Sequence, residues 1–198
     1  MYQHVVKRAL DFLMALCGIL VLSPVLALLA VWVKCDSKGP VFFRQKRVGK
    51  GKCYFNILKF RTMYADTPKD VPTHLLKNPE AMITRSGRFM RRTSLDELPQ
   101  LFNILAGQMS VVGPRPALWN QDDLIAERDR YHANDLVPGL TGWAQVNGRD
   151  ELPIPVKAKF DGEYAARISF AFDVKIFFKT IANVFTAKGV VEGGTHGK

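Results

Sequence analysis

The chain has 198 residues, 47% of them hydrophobic, and a formal net charge of +10, which suits one domain with a real core and at most a short appendage. Residues 1–61 carry eleven Lys and Arg against two Asp and Glu, whereas residues 62–198 carry seventeen against sixteen. Basic charge gathered around one end favours an anionic membrane surface and argues against a nucleic-acid partner, which usually meets a basic face of the folded domain.

The first predicted element is a membrane helix. Residues 12–33 contain no charged side chain, and at about 1.5 Å per residue a helix over them would reach about 33 Å, enough to cross a bilayer core. Pro24 lies in the middle of this segment and removes one backbone hydrogen bond. The hydroxyl of the preceding Ser23 can satisfy part of the backbone that is freed.

Positive charge flanks this apolar segment on both sides. Lys7 and Arg8 precede it and five further cations follow between residues 34 and 47, so the positive-inside rule places both flanks on the cytoplasmic side. A helix over residues 1–36 that is bent at the proline and re-enters the leaflet satisfies both flanks. A single span kinked at the proline is the alternative, because proline is tolerated in membrane helices.

A β-hairpin is predicted next. Residues 41–43 form a short strand, residues 48–52 a turn, and residues 54–60 a second strand rich in aromatic and aliphatic side chains. Lys59 and Arg61 end this strand, where alternation places them on one face. They are candidates for phosphate binding, and a solvated strand end is the alternative.

The centre of the chain combines cations with two acids. Asp96 and Glu97 stand at the start of an apolar helical pattern, and a run of arginines precedes them. The run comprises Arg85, Arg88, Arg91 and Arg92. A helical face of guanidinium groups beside two carboxylates can bind phosphate and attack it. The alternative is a capping box, in which Ser94 and Glu97 cap the helix start.

Two loops in the second half of the chain carry further candidate ligands. Pro114 and Pro116 stiffen the backbone around Arg115, which suits phosphate or base recognition, although an ordinary proline-rich turn is equally compatible. A glycine-rich loop follows at residues 137–149 and presents Gln145, Asn147 and Arg149. Glycine allows it to approach a ligand closely, and a buried chain reversal is the alternative.

The last predicted element is an amphipathic helix near the C-terminus. Apolar residues recur at helical spacing between residues 174 and 185, with lysines between them. Such a helix packs on the core or lies at a membrane interface.

Together these motifs resemble the bacterial sugar transferase family, the monotopic polyprenyl-phosphate phosphoglycosyl transferases. They keep the order of the family, extend over nearly the whole chain and suit its small catalytic-domain-only members. The motifs are Lys7-Arg8 with Asp11, Ser23-Pro24, Lys59-Phe60-Arg61-Thr62-Met63, the segment from Ser94 to Asn103, Gly113-Pro114-Arg115-Pro116, and the segment from Pro138 to Arg149.

The resemblance implies transfer of a sugar-1-phosphate from a UDP-sugar to undecaprenyl phosphate, with release of UMP, at the cytoplasmic face of the bacterial inner membrane. This would be the first membrane step of glycoconjugate assembly. Asp96 would be the nucleophile that forms an aspartyl-phosphosugar intermediate, and Glu97 would bind Mg²⁺. Nearby arginines are expected to keep the nucleophilic carboxylate ionised.

The resemblance also implies a fold and a set of binding residues. We expect an α+β fold, mostly helical with a small β-hairpin or sheet, in which residues 1–36 form a re-entrant helix and residues 37–198 the catalytic domain with interfacial amphipathic helices. The membrane anchor would use Lys7, Arg8, Ser23 and Pro24. The substrate-binding residues would be Lys59, Arg61, Arg88, Pro114, Arg115, Pro116, Gln145, Asn147 and Arg149.

The identity of the sugar and the oligomeric state stay open, a homodimer included. An N-acetylated hexosamine is the expected sugar, with glucose and galactose as alternatives. The rival to an enzyme is a non-catalytic membrane protein that binds anionic lipids.

Overall fold

Helices make up 60% of the residues that the structure describes, and two small sheets accompany them. The computed structural model describes residues 2–68, 76, 78–148 and 152–186. The helices are α1 Lys7–Asp36, α2 Arg85–Thr93, α3 Gln100–Leu105, α4 Asp122–Asp129, α5 Trp143–Val146, α6 Ile154–Arg167 and α7 Phe170–Thr186. The strands are β1 Phe42–Val48, β2 Tyr54–Phe60, β3 Ser110–Val112 and β4 Gly139–Thr141. The predicted α+β fold, mostly helical, is confirmed.

α1 is continuous through its proline. Pro24 lies inside the 30-residue helix and cannot donate a hydrogen bond to the carbonyl of Leu20, four residues earlier. The Ser23 hydroxyl donates to that same carbonyl at 2.8 Å. The compensation predicted from the Ser23-Pro24 pair is therefore confirmed.

Both ends of α1 pack against the rest of the protein, whereas its middle is exposed. Near the start, Ala15 is buried beside Ile104 of α3. Near the end, Val33 is buried beside Phe60 of β2 and Met90 of α2. Between these contacts large apolar side chains face outward, and they include Leu20, Val21, Val25, Leu28 and Val31. This helix is long and apolar enough to cross a membrane.

The cations that precede the apolar segment bind within the protein. Lys7 is buried, and its Nζ lies 2.7 Å from Oδ2 of Asp173 in α7. Arg8 donates to the carbonyls of Ile104 and Leu105 at the end of α3, at 2.6 and 3.0 Å. Both side chains are therefore engaged in docking α1 onto the domain, and the membrane-anchor role of Lys7 and Arg8 stays a prediction.

β1 and β2 form the predicted antiparallel hairpin, joined by a single 3-10 turn at Lys50–Lys52. β1 is longer than predicted, because it continues through the polar residues 44–47. Polar side chains conceal the strand in the sequence, yet Gln45 is buried and Arg47 bonds to the Pro116 carbonyl.

β3 and β4 form a parallel pair that the sequence does not reveal. Each strand has only three residues, too few for a recognisable alternation. Glycine is required where they meet, since a Cβ on Gly139 would collide with the backbone of Gly113. The pair sits beside a core cluster that includes Val112, Tyr164 and Ile176.

α7 is amphipathic, as predicted. Phe172 and Ile176 are buried on one side. Phe170, Phe178 and Ile181 are exposed on the other. The helix therefore packs on the core and also presents aromatic side chains outward.

Candidate active site

The two acids lie in a short 3-10 turn at Leu95–Glu97, between α2 and α3. Ser94 ends α2 in the left-handed region, at φ 57°, and its side chain makes no capping hydrogen bond. The alternative of a capping box at Ser94 and Glu97 is therefore wrong. The change of direction at Ser94 breaks the apolar helical pattern into two helices and places the acids at the break.

Two cations hold Glu97. Lys59 Nζ lies 2.7 Å and Arg115 Nη2 3.0 Å from the same oxygen, Oε1. Burial alone would raise the pKa of Glu97, but the charges and hydrogen bonds of Arg115 and Lys59 outweigh it and hold the pKa well below its ordinary value. Glu97 is therefore an ionised group with one oxygen occupied by cations.

Asp96 has a different environment. It is 8% exposed, and no described residue donates a hydrogen bond to its carboxylate. Burial raises its pKa, and the charge of Glu97 raises it further, against the opposing charges of Lys59, Arg91 and Arg115. The arginines thus lower the pKa of Asp96, as expected, but desolvation outweighs them, and the ionised state of this carboxylate stays a prediction.

Hydrogen bonds to backbone carbonyl groups hold the loop that carries Arg115. The carbonyl of Pro114 accepts from Gly139 N at 2.9 Å, and that of Pro116 from Arg47 Nη1 at 3.0 Å. Both prolines are buried. These contacts fit the predicted rigid presentation of Arg115, and the substrate-binding role of the two prolines stays a prediction.

The residues that flank the two acids pack against a core cluster that α1 shares. Leu95 and Leu98 contact the cluster that Leu29 and Val33 of α1 form with Phe60 of β2 and Met90 of α2. The turn that carries the acids is thus joined to α1 through this shared cluster.

A family model described as bacterial sugar transferase matches residues 2–187 of the chain. The chain belongs to this family. It is 43% identical to the undecaprenyl-phosphate glucose phosphotransferase of Komagataeibacter xylinus, over 88% of this chain and 35% of the relative. It is 40% identical to the UDP-glucose:undecaprenyl-phosphate glucose-1-phosphate transferase of Escherichia coli (strain K12), over 94% of this chain and 41% of the relative.

A third relative has a similar length. The exopolysaccharide production protein PSS of Rhizobium leguminosarum bv. phaseoli is 40% identical, over 92% of this chain and 96% of the relative. The chain thus spans less than half the length of the first two relatives and nearly all of the third.

In this sugar transferase, Arg61 does not face the acids. Its side chain is 4% exposed, and the guanidinium donates to the carbonyls of Ser37, at 2.8 Å, Lys38 and Val33. These groups end α1. Arg61 therefore caps the C-terminus of that helix, which does not fit the phosphate-binding role predicted for it.

Arg88 lies exposed on α2. Within the described residues no acid forms a salt bridge with it, so its guanidinium is available to an anion. Its neighbour Phe89 is also exposed and contacts Trp32 of α1, with 5.4 Å between ring centroids. A cation and an aromatic pair therefore share the surface near the end of α1, and the phosphate-binding role of Arg88 stays a prediction.

The glycine-rich loop is held by α7. Gln145 donates to the Leu140 carbonyl at 3.1 Å, and its buried Oε1 has no described partner. Asn147 donates to the Trp143 carbonyl at 2.7 Å and accepts from Lys179 at 2.7 Å. Neither side chain contacts the two acids, so their substrate role stays a prediction. Arg149 lies outside the described residues.

The two carboxylates fit a magnesium ion. Mg²⁺ commonly binds through one or two carboxylates together with substrate phosphates. No described residue donates to Oε2 of Glu97 or to Asp96, so both groups can accept a cation. Within the described ranges no three His, Cys, Asp or Glu side chains converge on a metal site, and further ligands would be phosphate and water. Such an ion would supply charge neutralisation beside the carboxylates.

The sequence does not identify two buried ionic residues. The many charges of residues 121–135 are typical of an exposed helix, yet Arg128 is buried and pairs with Asp161 of α6. Nothing in the local pattern distinguishes this arginine from its solvated neighbours.

Proposed function

We propose that this sugar transferase moves a sugar-1-phosphate from a UDP-sugar to undecaprenyl phosphate and releases UMP. The observation that carries the proposal is that two adjacent carboxylates have different environments. Asp96 is buried and accepts no hydrogen bond from a described residue, whereas Lys59 and Arg115 both bind Glu97. The names of the relatives, which specify undecaprenyl phosphate and UDP-glucose, support the same reaction.

The proposed reaction has two steps. An Asp96 oxygen attacks the sugar-linked phosphorus of the UDP-sugar, the bond from that phosphorus to the bridging oxygen breaks, and UMP leaves with the electron pair. An oxygen of undecaprenyl phosphate then attacks the same phosphorus, and the bond to Asp96 breaks to regenerate the carboxylate. A covalent intermediate divides one difficult transfer into two, since the acyl phosphate keeps the phosphorus activated.

Charge compensation is the main requirement for both steps, because an anion attacks an anionic phosphate. Lys59 and Arg115 neutralise Glu97 and place cationic charge within reach of a phosphate at Asp96. Preorganised cations stabilise the charge that spreads over phosphoryl oxygens in the transition state. We assign Arg88, exposed on α2, to a substrate phosphate on the same grounds.

We propose further that α1 is a re-entrant membrane helix that places the site at the cytoplasmic face of the inner membrane. A lipid-linked acceptor requires the acids at head-group depth. The core cluster that Leu95 and Leu98 share with Leu29 and Val33 of α1 supports this placement. The packing of both helix ends, at Ala15 and Val33, against the same domain supports entry and exit on one side.

The topology can be tested by labelling single cysteines at both ends of α1. Gln3→Cys and Lys38→Cys replace exposed residues and are made in a chain whose native cysteines, Cys17, Cys35 and Cys53, are serine. We expect an impermeant maleimide to label both in inverted membrane vesicles and neither in intact spheroplasts. Asp66→Cys, on the exposed surface of the domain, marks the cytoplasmic side. Labelling of residues 3 and 38 from opposite sides would establish a span.

The pH dependence of the reaction should report Asp96. The attacking form is the carboxylate, and burial raises the pKa of Asp96, so activity is lost on acidification through a pKa above that of an ordinary aspartate. Glu97 stays ionised over this range because its pKa is lowered. We expect kcat/KM for UDP-sugar to rise with pH along a limb with a single ionisation. A profile that stays flat down to about pH 4, near the ordinary aspartate pKa, would contradict this assignment.

The function is tested by incubating detergent-purified protein with Mg²⁺, undecaprenyl phosphate and a panel of UDP-sugars. UDP-glucose is tried first, because two relatives are named for glucose, followed by UDP-N-acetylhexosamines and UDP-galactose. We expect UMP release that depends on the lipid phosphate and on one sugar. Absence of UMP with every sugar would favour a non-catalytic lipid-binding protein.

A further inference from the structure

A buried ion pair lies behind the loop that carries Arg115. Arg128 of α4 is 3% exposed and Asp161 of α6 is 1% exposed. Nε and Nη2 of Arg128 lie 2.8 and 2.6 Å from Oδ2 of Asp161. The third guanidinium nitrogen, Nη1, donates to the carbonyl of Arg115 at 2.9 Å. One planar group therefore joins a buried carboxylate to the backbone of a residue that contacts Glu97.

This geometry fixes a direction as well as a distance. The guanidinium is rigid and planar, so two bonds to Asp161 determine where Nη1 points. The Arg115 carbonyl is the middle one of three, and its neighbours on Pro114 and Pro116 are held by β4 and β1. Among the described hydrogen bonds to these three carbonyls, the bond from Arg128 is the one that connects the loop to helices α4 and α6.

Stability alone is a poor reason for such a pair. A buried ion pair contributes little net stability compared with apolar side chains of similar volume, because both charges must leave water. Its definite effect here is to hold the Arg115 backbone, from which the side chain reaches Oε1 of Glu97. A misplacement of about 1 Å at a charge-stabilising group can cost on the order of 10²-fold in rate.

We propose that Arg128, oriented by Asp161, is a positioning residue for Arg115. It touches neither acid and acts through the carbonyl of Arg115. This inference deepens the proposed function and rests on it, because the site that it positions is the one assigned to phosphoryl transfer.

The test replaces the pair by apolar residues, as Arg128→Met with Asp161→Leu. We expect a folded protein with little change in melting temperature, because neither charge is left unpaired, and a loss of UMP release of about 10- to 100-fold. The matched control is Lys52→Met, which removes the exposed pair with Asp129 of the same helix, 3.0 Å apart. We expect the control to keep wild-type activity.

A double-mutant cycle with Arg115→Ala distinguishes an effect on the position of Arg115 from a general loss of structure. If Arg128 acts through Arg115, the apolar replacement costs no further activity when Arg115→Ala is already present. An equal loss in both backgrounds, or wild-type activity of the apolar variant, would overturn the proposal. If the apolar variant does not fold, Arg128→Lys in the same cycle answers the question, because lysine keeps the ion pair and loses the fork.

Hydrogen exchange of a peptide spanning residues 110–118 gives a readout that needs no turnover. We expect faster exchange in the apolar variant and no change in Lys52→Met. Unchanged exchange in the apolar variant would refute positioning even if the protein released no UMP. A wild-type protein that releases no UMP, with faster exchange in the variant, would refute the proposed function and leave the role in the loop standing.

Discussion

Asp96→Asn is expected to lower UMP release by at least about 10⁴-fold, the scale of loss found when a covalent nucleophile is removed. The amide has nearly the shape of the carboxylate but cannot attack phosphorus. The substitution breaks no hydrogen bond to a described residue and removes a buried charge next to Glu97. We therefore expect the variant to fold with a melting temperature equal to that of the wild type or higher.

The measurement compares initial rates of UMP release at saturating UDP-sugar and lipid phosphate. Asp66→Asn, the same change at an exposed position, serves as the control and should leave the rate unchanged. Mass spectrometry of wild-type protein quenched without the lipid acceptor should find phosphosugar on Asp96 and on no other residue. Near-wild-type turnover by Asp96→Asn would exclude the aspartate as nucleophile.

The parts of the fold that could be predicted are those with local causes. Pro24 removes a donor from one known carbonyl, and Ser23 is the adjacent group able to replace it, so the contact with Leu20 follows from covalent geometry. The composition and alternation of residues 54–60 likewise predict β2 and place Lys59 on one face of that strand.

The predictions that failed depend on partners distant in sequence. Lys59 and Arg61 share a face only if the strand continues past both, but β2 ends at Phe60. Arg61 thus leaves the sheet and turns to carbonyls at the end of α1. The sequence likewise does not reveal that Lys7 pairs with Asp173, which lies 166 residues away.

The same distinction applies to the site. The sequence identifies the acids and the arginines around them, but it does not distinguish the two carboxylates from each other. That difference arises when β2 and the loop of Arg115 converge on one oxygen of Glu97 and leave Asp96 without a donor. The assignment of roles within the pair therefore depends on tertiary contacts that no local pattern contains.

Glu97→Gln is expected to reduce UMP release by about 10²- to 10³-fold, less than the loss in Asp96→Asn. The substitution removes the charge that pairs with Lys59 and Arg115, and its amide group can turn a donor toward them. The same change also removes a carboxylate that fits Mg²⁺, so we expect the Mg²⁺ concentration for half-maximal activity to rise about 10- to 100-fold. Because Asp96 is intact, the covalent adduct should still form, slowly.

Glu127 provides a closely matched control for that substitution. Its side chain is 20% exposed, as is that of Glu97, and it also pairs with an arginine, Arg130, at 3.1 Å. Glu127→Gln therefore repeats the loss of charge and of an arginine contact on the surface of α4, and we expect wild-type rates and an unchanged Mg²⁺ response. If Glu97→Gln and Glu127→Gln had the same activity and the same Mg²⁺ response, the ion pairs of Lys59 and Arg115 with Glu97 would have only a structural role. A loss confined to Glu97→Gln, with a shifted Mg²⁺ response, is the result that a metal-binding carboxylate beside the nucleophile requires.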